Sequence, residues 1–175
     1  MIRAPVLLVA AGLLGMDLLA PAGARAGAPE QLVGLFIQGC LPFAGDAAAL
    51  RDWAKRIGLP AVAEEARSAF LHGAPGQAFD GSVPGIKLVL VSSDDGLCSA
   101  VTDQATQQAV DAALEAGFHQ AGLTFRLVVE RDDQKVSEIH DREYLAARDK
   151  RGWRILAATV KGDKGGEAML TGAPE

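Results

Sequence analysis

The 175-residue sequence predicts an α+β fold: an antiparallel sheet of about five to seven strands, packed on one face by N-terminal helices and one long central helix. Three observations predict it. Apolar residues in the first third recur at helical spacing, three and four apart. From residue 86 onward, one further helical stretch aside, they alternate or cluster as in strands. Short polar turns separate these strands, and turns of hairpin length join antiparallel neighbours.

The first helix is expected over residues 30–40, where Val33, Phe36, Ile37 and Cys40 share a face, and it must stop before Pro42. Asp46 suits the N-cap of a second helix, in which Leu50, Trp53, Ala54 and Ile57 form the buried stripe. Arg51, Asp52, Lys55 and Arg56 are then predicted to face outward, and Gly58-Leu59-Pro60 breaks the helix. A third helix is predicted over 61–71. Glu64 and Glu65 sit in its first turn, Val62, Ala66, Ala69 and Phe70 form its apolar side, and Gly73 stops it.

Residues 74–85, rich in Gly and Pro, read as a loop. A central strand over 86–92, the turn Ser93-Asp94-Asp95-Gly96 and a return strand over 97–102 form a hairpin. Asp103 is placed to cap the longest helix, 104–121, with Val110, Ala113, Leu114, Gly117, Phe118 and Ala121 as its stripe, and Gly122 ends it. A strand over 124–131 follows, with Phe125, Leu127 and Val129 on one face. After a polar turn at 132–135, residues 136–140 pair back weakly. Strands over 143–148 and 153–160 meet at Asp149-Lys150-Arg151-Gly152. A Gly-rich turn over 162–166 leads to a short last strand over 168–171.

Residues 1–26 read as a secretory signal peptide. Arg3 supplies the positive start and residues 6–16 the apolar run; Ala24-Arg25-Ala26 fits a small-residue cleavage site, as does Ala22-Gly23-Ala24. A membrane anchor needs about 20 apolar residues, and Asp17, Pro21 and Arg25 interrupt this run too early. A lipid-attachment reading of Gly39-Cys40 fails because Gln38 stands where a small residue is required. Removing 26 residues leaves 149, which form one domain over 27–175, and loss of Arg3, Asp17 and Arg25 takes the formal net charge from −5 to −6. An acidic chain offers no footprint for nucleic acid or for an anionic membrane surface, and no stable membrane span remains after cleavage. Aromatic residues make up only 5 % of the chain, which leaves few platforms for stacking sugars or bases. The expected location is periplasmic or secreted. There, the two cysteines, Cys40 and Cys98, are expected to form one disulfide.

Few residues point to chemistry. Leu97-Cys98-Ser99-Ala100-Val101 resembles the nucleophile segment of secreted cysteine peptidases that cut cell-wall peptides, which implies a thiolate at Cys98 activated by His119 or His140. The departures are that this segment reads as a strand, that Ala100 replaces a glycine, and that Leu97 replaces an acidic residue. Glu138, His140 and Arg142 alternate onto one strand face and form a possible ligand or acid–base patch. His72, His119 and His140 lie too far apart for a zinc motif, and no pattern calls for a metal or cofactor. Asp94-Asp95 and Asp132-Asp133 are turn formers. The Gly-rich 162–166 lacks the phosphate-loop pattern, no serine sits in a G-x-S-x-G elbow, and Trp53 and Trp153 lie on apolar faces.

Phe36-Ile37-Gln38-Gly39-Cys40 followed by a strand bearing Leu97-Cys98 resembles the layout of small exported proteins of proteobacteria for which no activity is assigned. The resemblance implies an extracytoplasmic compartment and a disulfide, and nothing catalytic. The expected role is a non-enzymatic binding or accessory domain whose partner is a small ligand or another envelope protein. A hydrolase using Cys98 is the alternative.

Overall fold

The computed structural model describes residues 26–161 and 166–175. Residues 1–25 of the expected export segment over 1–26, and residues 162–165 of the turn expected over 162–166, lie outside the described residues.

Helix α1 spans Ala28–Leu35, with Pro29 and Glu30 in its first turn, where a missing N–H and a negative charge are both favourable. The helix predicted to run on to residue 40 instead widens into a π turn, Phe36–Cys40, and tightens into a 3-10 turn, Leu41–Phe43. Helix α2, Ala47–Arg56, is capped by Asp46, whose carboxylate accepts from the Ala49 N–H at 2.9 Å. Arg51, expected to face solvent, turns to the sheet instead. It donates to Ser92 Oγ at 3.1 Å and Ser92 O at 3.0 Å and pairs with Asp94, tying α2 to a hairpin turn.

Helix α3, Glu64–Leu71, starts three residues later than predicted, because Pro60 to Val62 run along a strand edge. That strand, β1 at Gly76–Asp80, lies where a loop was expected. It pairs with β2 (Val89–Ser93), and β2 with β3 (Cys98–Ala105), through the predicted hairpin. The predicted start of β2 at residue 86 is taken up by a small bridge between Val83 and Ile86. β3 runs on to Ala105, so the long helix starts later. Helix α4 is Gln107–Gln120, its cap is Thr106, and Asp103 belongs to the strand. Strands β4 (Thr124–Asp132), β5 (Ile139–Arg148), β6 (Arg151–Val160) and β7 (Gly166–Pro174) follow. The two segments predicted at 136–140 and 143–148 are largely one strand, β5.

The seven strands form one antiparallel sheet in the order β1-β2-β3-β7-β6-β5-β4. The last strand, predicted as a short coda, is nine residues long and central: Leu170 faces both Ala100 of β3 and Ala157 of β6. Alternation sorts the strand residues onto two faces. Leu90, Ala100, Leu170, Ile155 and Tyr144 are fully buried on the inner face, together with Leu32 and Phe36 from the N-terminal helical region and Val110, Leu114 and Phe118 of α4. Val91 and Val101 look the other way and meet Leu71 of α3 in a separate small cluster. The helices therefore do not all lie on one face, as expected; α3 crosses the outer one.

Cys40 and Cys98 form a disulfide with a Cα–Cα distance of 5.2 Å, both residues at most 1 % exposed. It joins the π turn to the first residue of β3. The Trp153 Nε1–H donates to Leu41 O at 2.8 Å and ties the adjoining 3-10 turn to the sheet as well. Helices α1 and α4 touch closely at Gly117, where a Cβ would fall 2.5 Å from Val33 Cγ1 and 2.9 Å from Ile37 Cδ1.

Two stability tests follow from this packing. The bridge closes a separation of 58 residues, so Cys40→Ala/Cys98→Ala is expected to lose about 4 kcal/mol in the chain-entropy limit, read as a lower denaturant midpoint under non-reducing conditions. Gly117→Ala is expected to destabilise by about 1–3 kcal/mol through overpacking, despite the better helix propensity of alanine. An unchanged or raised midpoint would show that α1 and α4 can move apart freely.

Candidate functional site

Among the described residues, two regions are candidate sites. The first surrounds the sequence-predicted His140 and Arg142. The β4–β5 register sets Glu130 opposite Arg142 and Asp132 opposite His140. A bulge between Leu127 and Val129 makes this possible. It moves Val129, predicted to share a face with Phe125 and Leu127, to a position opposite Glu143, and turns Glu130 and Asp132 toward His140 and Arg142. Helix α4 adds Asp111 and Glu115, one turn apart.

Arg142 is the hub. Its Nη1 lies 3.4 Å from Asp111 Oδ2 and 3.4 Å from Glu115 Oε1, and donates to the Tyr144 hydroxyl at 3.1 Å. Tyr144 in turn donates to Glu115 Oε1 at 3.1 Å. Arg142 Nε is 3.2 Å from Glu130 Oε1 but makes no hydrogen bond there, so that contact is an ion pair without a directed bond. His140 sits between two carboxylates, Nδ1 at 3.1 Å from Asp132 Oδ1 and Nε2 at 3.3 Å from Glu130 Oε1; Lys161 Nζ is 3.0 Å from Asp132 Oδ2.

Glu138, the third member of the predicted patch, takes no part. It is exposed just ahead of β5, and Glu130, supplied by the bulged neighbouring strand, stands in its place. No sequence signal marks Glu130, because the parity change at the bulge has no composition signature. Burial raises the Asp111 carboxyl above its usual range, an effect that Arg142 and His140 oppose. Burial also raises the Tyr144 hydroxyl well above its ordinary value. Asp132 is lowered, first by its hydrogen bond to His140 and then by Lys161. With its guanidinium already facing three carboxylates and a hydroxyl, Arg142 has little capacity left for an anionic ligand. Among the described residues, no three His, Cys, Asp or Glu side chains are arranged to hold a metal ion. The network acts as a polar clamp between α4 and the β4–β5 hairpin.

Cys98 has no free thiol, since its sulfur is bonded to Cys40. His119 is exposed on α4, with its ring edge-on to Phe125. The geometry thus supplies no activated thiolate to either histidine.

The second region is a cleft under α3 that no motif announced. After Gly58, at φ 82°, the chain runs antiparallel to the edge of β1: the Val62 N–H donates to Ala78 O at 2.9 Å, and the Asp80 N–H donates to Pro60 O at 2.8 Å. Helix α3 then crosses the outer face and anchors there through Leu71, with Phe70 beside it; Ala66 and Ala69, predicted to be inside, are exposed. The space left between helix and sheet is about 570 Å³. Val62, Phe70, Val89 and Val101 form its apolar lining, and Asp80, Lys87, Asp103 and Glu167 stand at its rim. A second groove of about 510 Å³, between α1 and α4, is walled largely by alanine, with Glu30 as the charged lining residue among those described.

The clamp gives a sign-checked expectation. The Asp132 carboxyl is depressed, so its contribution to stability is present above the unfolded value of about 3.9 and is lost as pH falls through the lower folded value. The Asp111 carboxyl is raised, so the fold favours its protonated form, and that contribution fades as pH rises through the folded value. Side-chain carboxyl NMR titration should place Asp132 below and Asp111 above the ordinary aspartate midpoint. In His140→Ala, Asp132 should move back toward it; an unmoved Asp132 would rule out the hydrogen-bond cause.

Among the described residues, no helix is long and apolar enough to cross a membrane. No protein-family model, curated protein or solved structure matches this chain.

Proposed function

We propose that this chain is an exported, non-enzymatic α+β domain that binds a small, partly apolar ligand in the cleft beneath α3. The cleft carries the reading. Its volume of about 570 Å³ lies within the range of about 300–1,000 Å³ common for small-molecule sites. Its composition, apolar walls with a few polar groups at the mouth, is what such sites use for affinity and orientation. The compartment is supported by the signal-like start of the sequence and by a buried disulfide of the kind that oxidising compartments permit.

Helix α3 covers the site loosely, since Leu71 is its one buried side chain. Left-handed residues at His72, φ 47°, and Gly73, φ 84°, close its C-terminal end. A helix held at its ends and by a single buried anchor can adjust to an occupant at low cost in packing.

The test uses purified disulfide-bonded protein and the uncharged dye Nile red. Ala69 is exposed and lines the cleft, so Ala69→Trp fills the cavity without entering the main core. Wild type is expected to enhance the dye's fluorescence with one-to-one saturation. Ala69→Trp should abolish this while keeping the wild-type circular dichroism and thermal midpoint. Dye binding that survives the substitution, or no binding by wild type, removes the cleft as the site.

A further inference from the structure

We infer that the cleft takes an amphipathic cation, with an apolar body against Val89 and Val101 and an ammonium or guanidinium group at the Asp103–Glu167 end. This inference rests on the reading of the cleft as a ligand site and adds the chemical class of the ligand. It comes from the position of charge around an apolar floor. Three carboxylates among the described residues border the opening, Asp80, Asp103 and Glu167. The cation among them is Lys87, with His72 as the other titratable group.

The strands place these charges by register. Asp80 of β1 pairs with Val89, so the carboxylate borders the apolar floor on the β1 side. Asp103 and Glu167 belong to the neighbouring strands β3 and β7, next to the Thr102–Ala168 pair, and close the opposite side. Lys87 offsets little of this charge. Its Nζ lies 3.7 Å from Asp103 Oδ2 with side chains 79 % and 59 % exposed, an arrangement that a competing cation can displace. Hydrogen bonds from Ser82 hold the Asp80 carboxyl below its usual range, so it stays negative at neutral pH.

An anionic amphiphile would meet this rim with like charge, and the chain as a whole carries a formal net charge of −5. A neutral one would use the apolar floor alone. A cationic one would use both, and its advantage should shrink with added salt because the rim is solvent-exposed.

The probes are three decyl amphiphiles, each below its critical micelle concentration: decyltrimethylammonium, decyl sulfate and decyl maltoside. Binding is followed on purified disulfide-bonded protein through the methyl NMR signals of Val89 and Val101. The ammonium probe is expected to bind about tenfold more tightly than the sulfate, the scale that a few exposed charge pairs together supply. The Asp103→Asn/Glu167→Gln double variant should bring the two probes to within about twofold, and Lys87→Gln should tighten the ammonium probe. Equal binding of all three probes at these methyls would overturn the cation inference and leave the cleft as an apolar site. Tighter binding of the sulfate would overturn it as well. No shift with any probe would overturn both this inference and the ligand-site reading.

Discussion

The central position of the C-terminal strand is the constraint on which the rest of the structure depends. β1, β2 and β3 form one antiparallel run in chain order, and β4, β5 and β6 form another. β7 joins the two runs in the sheet, pairing with β3 on one side and β6 on the other. Its inward residues, Ala168 and Leu170, are almost fully buried and complete the floor on which α1 and α4 rest. Its outward residues carry Glu167 to the cleft and Met169 to the small outer cluster. One strand thus joins the two halves of the sheet, seals the inner core and supplies part of the candidate site. The pairing of β3 with β7 joins segments far apart in the chain, the kind of non-local contact that slows folding.

The disulfide connects the N-terminal helical region to the start of β3 across 58 residues, and so removes loop-closure entropy from the unfolded chain. Tight contacts finish the job locally. Gly39 lies against Trp53 and Leu90, Gly172 against Phe36, and Gly117 against Val33. At each of these points a side chain would hold helix and sheet, or helix and helix, apart.

The two polar regions serve different ends. Around Arg142 the groups are mostly satisfied by one another, and such a network orients elements more than it binds ligands. It also lies beside the free edge of the sheet, where the bulge in β4 and the charges of Arg126, Glu130 and Arg131 discourage edge-to-edge pairing. Around the α3 cleft the charged groups border an open apolar space, and the Lys87–Asp103 contact there is long and exposed. Perturbed titration therefore marks the clamp more clearly than the cleft, since structural ion-pair networks shift carboxyl groups too.

Local physics made several elements legible in advance. Asp46 capping a helix, the Ser93–Gly96 turn and the 104–121 stripe each depend on residues within a few positions of one another, and α2, the β2–β3 hairpin and α4 lie close to where the sequence puts them. The number and compartment logic of the two cysteines likewise led to the bridge between Cys40 and Cys98. The sequence also brought His140 and Arg142 forward, because alternation along one strand is a local property. Their true partners were not legible. Glu130 and Asp132 reach them through a bulge, and Asp111 and Glu115 through the docking of α4, both set by pairing between distant segments. The same holds for β1, hidden in a Gly- and Pro-rich stretch that becomes a strand because β2 is there to pair with it. The cleft is the extreme case. It is the space that α3 fails to fill over strands β1, β2, β3 and β7, and a space between segments has no residue of its own to announce it. The sequence by itself determined which residues prefer helix, strand or turn, and which two can be joined by a covalent bridge. Only the tertiary structure decided which faces meet and which stay open, because those outcomes depend on contacts between residues far apart in the chain.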